Sequence, residues 1–177
     1  SGFFNVAPDP DGTLRGTPLL IEHRGDLFPS LALATLLRAR PGRIGSPGTA
    51  GAPGRIEVAG RSVPVDTRAN MLVRFRGAGR GYEYLSAAAI LDGRVPAGGL
   101  AGRIAFVGTA AAGLKELRAT PFDPVFPGPE VHAAALDTIL QGDFLSRPGS
   151  ARAWEMLATL LAGALATLVL TRSGAIG

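Results

Sequence analysis

The chain has 177 residues, 46% of them hydrophobic, which suits one α/β domain of ordinary size with an appendage. Its net charge of +4 comes from 17 arginines and one lysine against 14 acidic residues, and the arginines are scattered from Arg15 to Arg172 rather than clustered as in a nucleic-acid footprint. Composition therefore argues against nucleic-acid binding, and the absence of cysteine excludes disulfides and thiolate metal sites.

The chain opens with a predicted strand over 3–6, and its first residues have neither the basic region nor the long apolar run of a signal peptide. Asp11-Gly12 between two apolar segments is a hairpin signal. The same stretch, Asp9-x-Asp11-Gly12, resembles the start of a calcium loop. An EF-hand needs a third oxygen ligand before its glycine and a distant glutamate, and neither is present, so a turn is favoured.

Strands and helices then alternate. Apolar spacing and end signals predict helices over 28–39, 83–92 and 129–141, a hairpin over 56–65, strands over 71–75 and 104–107, and a dispensable Pro/Gly-rich surface loop over 41–54. This order predicts an α/β fold with a mixed sheet flanked by helices, followed by a C-terminal transmembrane helix.

The segment RIAFVGTAAAGLKELRATPF, residues 103–122, has the outline of a strand followed by a phosphate-binding loop. A P-loop places its lysine directly after the second glycine and a hydroxyl next. Here Leu114 follows Gly113, Lys115 comes one place late, and Glu116 stands near the hydroxyl position. A slip of one residue turns a helical side chain by about 100°, away from a phosphate in the loop. Nucleotide binding is not expected.

No constellation of residues indicates catalysis or a resident cofactor. His23 and His132 are far apart in sequence, and no serine lies in a G-x-S-x-G elbow. Glu130 and His132 are two residues apart, whereas metal ligands on one helix face need three or four. Asp123 and Asp137 are not an evident acid/base pair. We predict no catalytic residue, no metal site and no cofactor.

The glycine-bounded loop after residue 107 is the best candidate for a ligand site. It would expose backbone N–H groups at the end of a strand, where ligands of open α/β sheets bind. The candidate ligand-binding side chains near it are Thr109, Thr120 and His132, with Arg118 as an anion partner. The alternative is that Gly108 and Gly113 only shape a tight loop and that His132 is a core or capping histidine.

The C-terminal segment AWEMLATLLAGALATLVLT, residues 153–171, carries one charge, Glu155, near its start. Nineteen helical residues reach about 28 Å, close to the roughly 30 Å of a bilayer's hydrocarbon core. Trp154 suits one membrane interface and Arg172 the other side. The alternative is a buried C-terminal helix of a soluble domain, although such a helix would normally show a polar face.

Small and polar residues recur along this helix. Glu155, Thr159, Gly163 and Thr167 are spaced four apart, with alanines beside them, and the leucines fall mainly on another side. Because small residues let transmembrane helices approach closely, these four residues are a candidate packing face. The alternative is that small residues are merely tolerated there.

The order of several motifs resembles one known family. The run GRIAFVGTAAAGLKELRATPFDPVFPGPEVHAAALDTILQGDFLSRP resembles the CHASE2 domain, as do FFNVAPDPDGTLRGTPLL, FPSLALATLL and LSAAAILDGRVP. CHASE2 domains are extracytoplasmic sensors of bacterial transmembrane receptors. The resemblance implies that residues 1–150 are such a sensor, truncated at its N-terminus, and that 153–171 is the first exit helix.

The resemblance also implies partners and a location. It predicts a cell-membrane protein with residues 1–150 outside the cytoplasm, a lipid bilayer around the exit helix, a homodimeric receptor, and an unknown small-molecule or protein signal. Its output would pass to a cytoplasmic nucleotide cyclase, histidine kinase or Ser/Thr kinase. The alternative is a soluble α/β enzyme or small-molecule binding domain whose C-terminal helix is buried.

Overall fold

The structure is a computed structural model that describes residues 2–45, 54–96, 98–109, 117–146 and 149–172. The chain divides into two compact units, Ser1–Leu145 and Ser146–Gly177. Unit 1 holds the sheets and three helices, and unit 2 holds one long helix.

The elements confirm the α/β class. In chain order they are β1 (Gly16–Pro18), β2 (Leu20–His23), β3 (Asp26–Pro29), α1 (Leu31–Ala39), β4 (Gly54–Val58), β5 (Arg61–Val65), β6 (Asn70–Leu72), α2 (Ala87–Leu91), β7 (Leu117–Arg118), β8 (Phe126–Pro127), α3 (Gly128–Gln141) and α4 (Ala151–Arg172). The described strands form four antiparallel pairs, β1–β6, β2–β3, β4–β5 and β7–β8. A parallel bridge joins Phe3 to Ser30.

Helix α1 forms where the apolar spacing predicts it. The Ser30 hydroxyl caps it by accepting from the Leu33 amide, and Ala32, Leu33 and Leu36 are its buried residues. This face packs against α3. The α1–α3 contact forms one side of the core.

The β4–β5 hairpin supplies the other side of the core. Ile56, Val58 and Val63 are fully buried, since alternate residues of each strand face inward. Both residues of its turn, Ala59 and Gly60, have positive φ, which gives the twist that two-residue hairpins favour. The prediction of a hairpin here is confirmed.

The Asp11-Gly12 turn is also confirmed. Gly12 has φ +80°, and the Asp11 carboxylate accepts from the Thr13 amide at 2.9 Å. The Arg15 guanidinium lies 2.8 Å from the carboxylates of both Asp9 and Asp11, and it lowers the pKa of Asp11. These carboxylates are therefore paired with an arginine, as expected of a turn and not of a calcium loop.

Three predicted elements differ from the structure. Residues 104–107 form no strand, and no described backbone hydrogen bond joins them to one, so Ile104 and Val107 stay exposed. The strand predicted over 3–6 is a single bridge at Phe3. The helix predicted over 83–92 is only Ala87–Leu91, which buries no residue. Apolar composition alone does not make a strand or a helix without a surface to cover.

The loop predicted over 41–54 is also not wholly free of the core. Ile44 forms a bridge with Val58, and the Gly45 amide donates to the Glu57 carbonyl at 2.8 Å. Residues 46–53 lie outside the described residues. Residues 44 and 45 thus pair with β4, and the prediction that the loop is dispensable stays a prediction.

Candidate functional site

Thr120, one of the predicted ligand-binding residues, is engaged in a turn. It is buried, its hydroxyl donates to the Asp123 carbonyl, and the Asp123 amide donates back to it, both at 3.1 Å. The hydroxyl therefore closes the 120–123 turn that leads into β8. Arg118, in β7, is half-buried and donates to the Leu117 carbonyl at 3.1 Å.

His132 is buried in the first half of α3, only 8% exposed. Its ring stacks on Phe106 with centroids 6.4 Å apart. Burial lowers the pKa of the imidazole below its ordinary value, and a hydrogen bond with the Phe4 backbone partly opposes this. The neutral ring thus serves as a packing surface for the segment before the glycine-bounded loop.

Gly108 lies tightly against the start of α3. A Cβ added there would stand 2.3 Å from Cγ of Pro129, so only glycine allows this approach. Thr109, the next residue, is exposed. Gly113, Lys115 and Glu116 lie outside the described residues. A ligand site in this loop therefore stays a prediction.

A second cluster, which the sequence did not reveal, lies on another part of α3. We call residues 74–84, RFRGAGRGYEY, the strap. The Glu130 side chain, in the first turn of α3, is 4% exposed and takes three hydrogen bonds from the strap. They come from the amides of Arg80 and Gly81, each at 2.7 Å, and from the Tyr84 hydroxyl at 2.6 Å. One carboxylate thus holds a stretch of chain about 50 residues away.

The start of α3 explains why Glu130 faces the strap. An acidic residue at the third helical position usually reaches back to the amide of the N-cap residue. Here the N-cap is Pro127, which has no N–H, and Pro129 follows in the first turn. With no local donor to bind, both Glu130 oxygens accept from the strap. The positive end of the helix dipole adds a favourable interaction with the carboxylate.

The strap continues along α3 in the opposite direction to the helix. The Arg74 amide donates to the Thr138 hydroxyl at 3.2 Å, and Arg76 forms an ion pair of 2.5 Å with Asp137. The Tyr82 hydroxyl donates to Asp137 at 3.3 Å, and burial, followed by that carboxylate, raises the pKa of Tyr82 to about 12. Burial and hydrogen bonding to Glu130 likewise raise the pKa of Tyr84.

Asp123 forms the last contact of this cluster. Its carboxylate accepts from the amides of Val125 at 2.8 Å and Gly79 at 3.0 Å, and these bonds lower its pKa. Three consecutive strap amides, at 79, 80 and 81, therefore donate to carboxylates of the α3 region. Such an arrangement positions a loop. Within the described ranges, no group of three or more His, Cys, Asp or Glu side chains could hold a metal ion.

Comparison with known proteins identifies the family. The model of the CHASE2 domain family matches residues 1–171, nearly the entire chain. The chain belongs to the CHASE2 family. No curated protein and no solved structure matches it. CHASE2 domains are extracytoplasmic sensory domains of signalling receptors.

Unit 2 gives this CHASE2 chain a helix that could cross a membrane. Ala153–Arg172 has a mean hydropathy of 1.8, and none of its apolar window is buried. The helix reaches roughly 30 Å, the thickness of the hydrocarbon core.

The structure shows what the predicted packing face of this helix contacts within the helix itself. The hydroxyls of Thr159 and Thr167 donate to the carbonyls of Glu155 and Gly163, four residues earlier, at 2.8 and 2.9 Å. A Cβ at Gly163 would meet nothing within 4 Å. The hydroxyls therefore need no partner from another helix, and Gly163 leaves space beside them. Helix pairing through this face stays a prediction.

Proposed function

We propose that this chain is the sensory and exit segment of a transmembrane signalling receptor, with residues 1–150 outside the cytoplasm. The observation that carries the proposal is the extent of the CHASE2 match, which runs from residue 1 through residue 171. It includes both the folded unit and the apolar helix. A receptor that senses on one side and acts on the other needs both parts.

The anchor in this proposal is residues 153–171 of α4. Trp154 is 67% exposed near one end and Arg172 stands at the other, as expected where a helix meets the two membrane interfaces. The threonine hydroxyls bond to carbonyls of the same helix. That leaves few polar groups to satisfy in lipid, where an unsatisfied one is costly.

The relay in this proposal passes through the segment that follows α3. Gln141 ends α3, Ala151 begins α4, and residues 142–150 connect them. The first part of this segment contacts the first residue of the strap and the strand before it. Asp143 pairs with Arg74 at 2.8 Å, and Leu145 bridges to Leu72. A movement of the strap or of α3 would therefore reach the exit segment directly. Arg147 and Pro148 lie outside the described residues.

The receptor in this proposal is a homodimer that drives a nucleotide cyclase or a protein kinase in the cytoplasm. Its signal is a small molecule or a protein that contacts the extracytoplasmic unit. The candidate contact residues remain Thr109, Arg118, Thr120 and His132, near the glycine-bounded loop. Support for these partners comes from the family, since CHASE2 domains belong to signalling receptors.

Membrane partitioning tests the anchor. The full chain is expressed, membranes are washed with carbonate at high pH, and the protein is followed by immunoblot. We expect the parent and the matched control Leu161→Ile to stay in the membrane fraction. Replacing Leu161 and Leu165 together by arginine should release the protein, since each central arginine disfavours insertion by roughly 2.5–3.5 kcal/mol. Release of the parent chain as a monodisperse protein without detergent would overturn the proposal.

A further inference from the structure

One buried carboxylate, that of Glu130, accepts more of the strap's hydrogen bonds than any other side chain described. From Arg76 to Tyr84 no strap residue is buried, and only Gly77, Gly79 and Tyr82 are half-buried. The helix that follows, α2, buries none of its residues either. Apolar burial therefore contributes little to holding this stretch, whereas Glu130 alone accepts three of its hydrogen bonds.

The strap is also conformationally strained at the point where Glu130 holds it. Arg80 has φ +70°, in the left-handed region that non-glycine residues seldom adopt. Among the described residues, three other non-glycine residues share this feature: Arg24 and Ala59 lie in tight turns between paired strands, and Ala69 lies in the turn between β5 and β6. Arg80 lies in no such turn. Its conformation is fixed by two successive amides that reach the two oxygens of Glu130, at 2.7 Å each.

Strain and weak burial together favour release. When the bonds to Glu130 break, Arg80 is free to return to an ordinary backbone conformation, so opening relieves part of the free energy that closing requires. On the core side these contacts are made only by the Glu130 side chain at the start of α3, and α1 and the β4–β5 hairpin take no part in them. Opening of the strap is therefore separable from unfolding of unit 1.

We propose that the strap is a releasable element in which Glu130 keeps residues 79–84 closed against α3. In the open state the amides of 79–81 and the hydroxyls of Tyr82 and Tyr84 leave their carboxylates, and the side of α3 that residues 79–84 cover becomes accessible. The attachment at Arg74 and Phe75 remains, since Phe75 is buried against Phe126 with ring centroids 5.2 Å apart. This local two-state behaviour of the sensory unit does not depend on the relay proposed above.

Hydrogen exchange followed by mass spectrometry tests the proposal on the full chain in lipid nanodiscs. Glu130→Gln keeps the shape of the side chain but removes its charge and places a donor against the strap amides. Because hydrogen bonds to a charged group are the strong ones, we expect exchange of the strap amides that donate to carboxylates, 79–81, to rise about 10- to 100-fold. Amides of α1, α3 and the β4–β5 hairpin should keep the parent rates.

Two further variants separate release from general damage. Tyr84→Phe removes one of the three bonds and should raise exchange at the same amides by a smaller factor, about 2- to 10-fold. Arg80→Gly removes the backbone strain at position 80 and should slow exchange of the same amides. If the Arg80 side chain held the strap, this variant would instead speed their exchange. Asp143→Asn, which touches only the start of the strap, is the matched control and should leave amides 79–84 at the parent rate.

The result that supports the proposal is a rise confined to the strap in Glu130→Gln and Tyr84→Phe. Tyr84→Phe is a mild change that should fold even if Glu130→Gln does not. An equal rise in exchange across unit 1 in this variant would show that these residues stabilise the whole unit and not the strap alone. Unchanged exchange at 79–84 in both variants would show that the carboxylate does not hold the strap. Either outcome overturns the proposal.

Discussion

The β4–β5 hairpin and the strap follow each other in the sequence, but different interactions hold them in place. The hairpin is fixed by a regular ladder and by apolar side chains such as Ile56 and Val63, both fully buried. The strap has no ladder and is fixed by carboxylates on α3 and in the turn before it. Apolar burial ties a segment to global stability, while a few polar bonds let a segment open by itself.

This difference suits a sensory domain. A signal must shift an equilibrium between two arrangements, and the segment that moves has to come from the less stable part of the molecule. The hairpin, with α1 and α3, provides a rigid frame. In our proposal the strap is the element that moves on this frame, and the Arg74–Asp143 pair joins its first residue to the segment that follows α3.

The largest effect we predict is a loss of stability on substitution in the buried face of the β4–β5 hairpin. Ile56→Ala leaves a cavity in the centre of the core, so it should lower the free energy of unfolding by about 2–5 kcal/mol. Thermal unfolding of the full chain in nanodiscs, followed by circular dichroism, measures the change. Hydrogen exchange in the same variant should rise throughout unit 1, unlike the local rise expected from Glu130→Gln.

The control for this prediction lies on the same strand. Glu57 is exposed and faces away from the core, so Glu57→Ala should change stability by no more than about 0.5 kcal/mol. Equal losses in the two variants would show that the hairpin is not held by its inward face. The comparison with the strap would then fail.

The same difference explains which parts of the molecule could be predicted from sequence. The hairpin, α1 and α3 leave a periodic apolar pattern and local end signals, such as Ser30 before α1 and Gly142 after α3. The strap leaves no period, because its contacts join single polar residues about 50 positions apart. Only the glycines around Arg80 hint at an unusual backbone there, and they do not name Glu130 as the partner.

The strand predicted before the candidate ligand loop is absent for a related physical reason. The apolar run at 104–107 was interpreted as a strand, but a strand needs an edge to pair with, and pairing is a property of the whole fold. His132 was correctly allowed as a core histidine. What sequence could not show is its partner, Phe106, since ring stacking across 26 positions has no local signature.

A second prediction concerns His132, an ionisable group in the part of unit 1 that apolar burial holds together, in contrast to the strap. The pKa of His132 is lowered in the folded state, mainly by burial, so the folded protein binds a proton less readily than the unfolded chain. As pH falls below about 6.5, the unfolded state takes up the proton first, and stability declines until the folded histidine also titrates.

Unfolding of the parent and of His132→Gln at several pH values between 7.5 and 4.5 measures this decline. Glutamine cannot take up the proton, so the variant should lose less stability than the parent between neutral and mildly acidic pH. It should also be less stable than the parent at pH 7.5, because the stacking on Phe106 is lost. Parallel pH profiles for the two proteins would contradict a buried, neutral His132.

The smallest effect we predict extends the comparison to lipid, where apolar burial no longer favours one helix contact over another. Helices there associate through close packing and polar contacts, and the threonine hydroxyls of α4 are already bonded within the helix. Close approach at Gly163 is then the main contribution of the packing face. A Cβ added at Gly163 has open space around it, so we attribute a loss of pairing in Gly163→Leu to contact with a second helix. We expect it to weaken self-association by roughly 1 kcal/mol or less, about fivefold, in a membrane two-hybrid assay, while Leu161→Ile on another side leaves the signal unchanged. Equal signals from both variants and the parent would show that the small residues are only tolerated, and that the exit helices pair through another face or not at all.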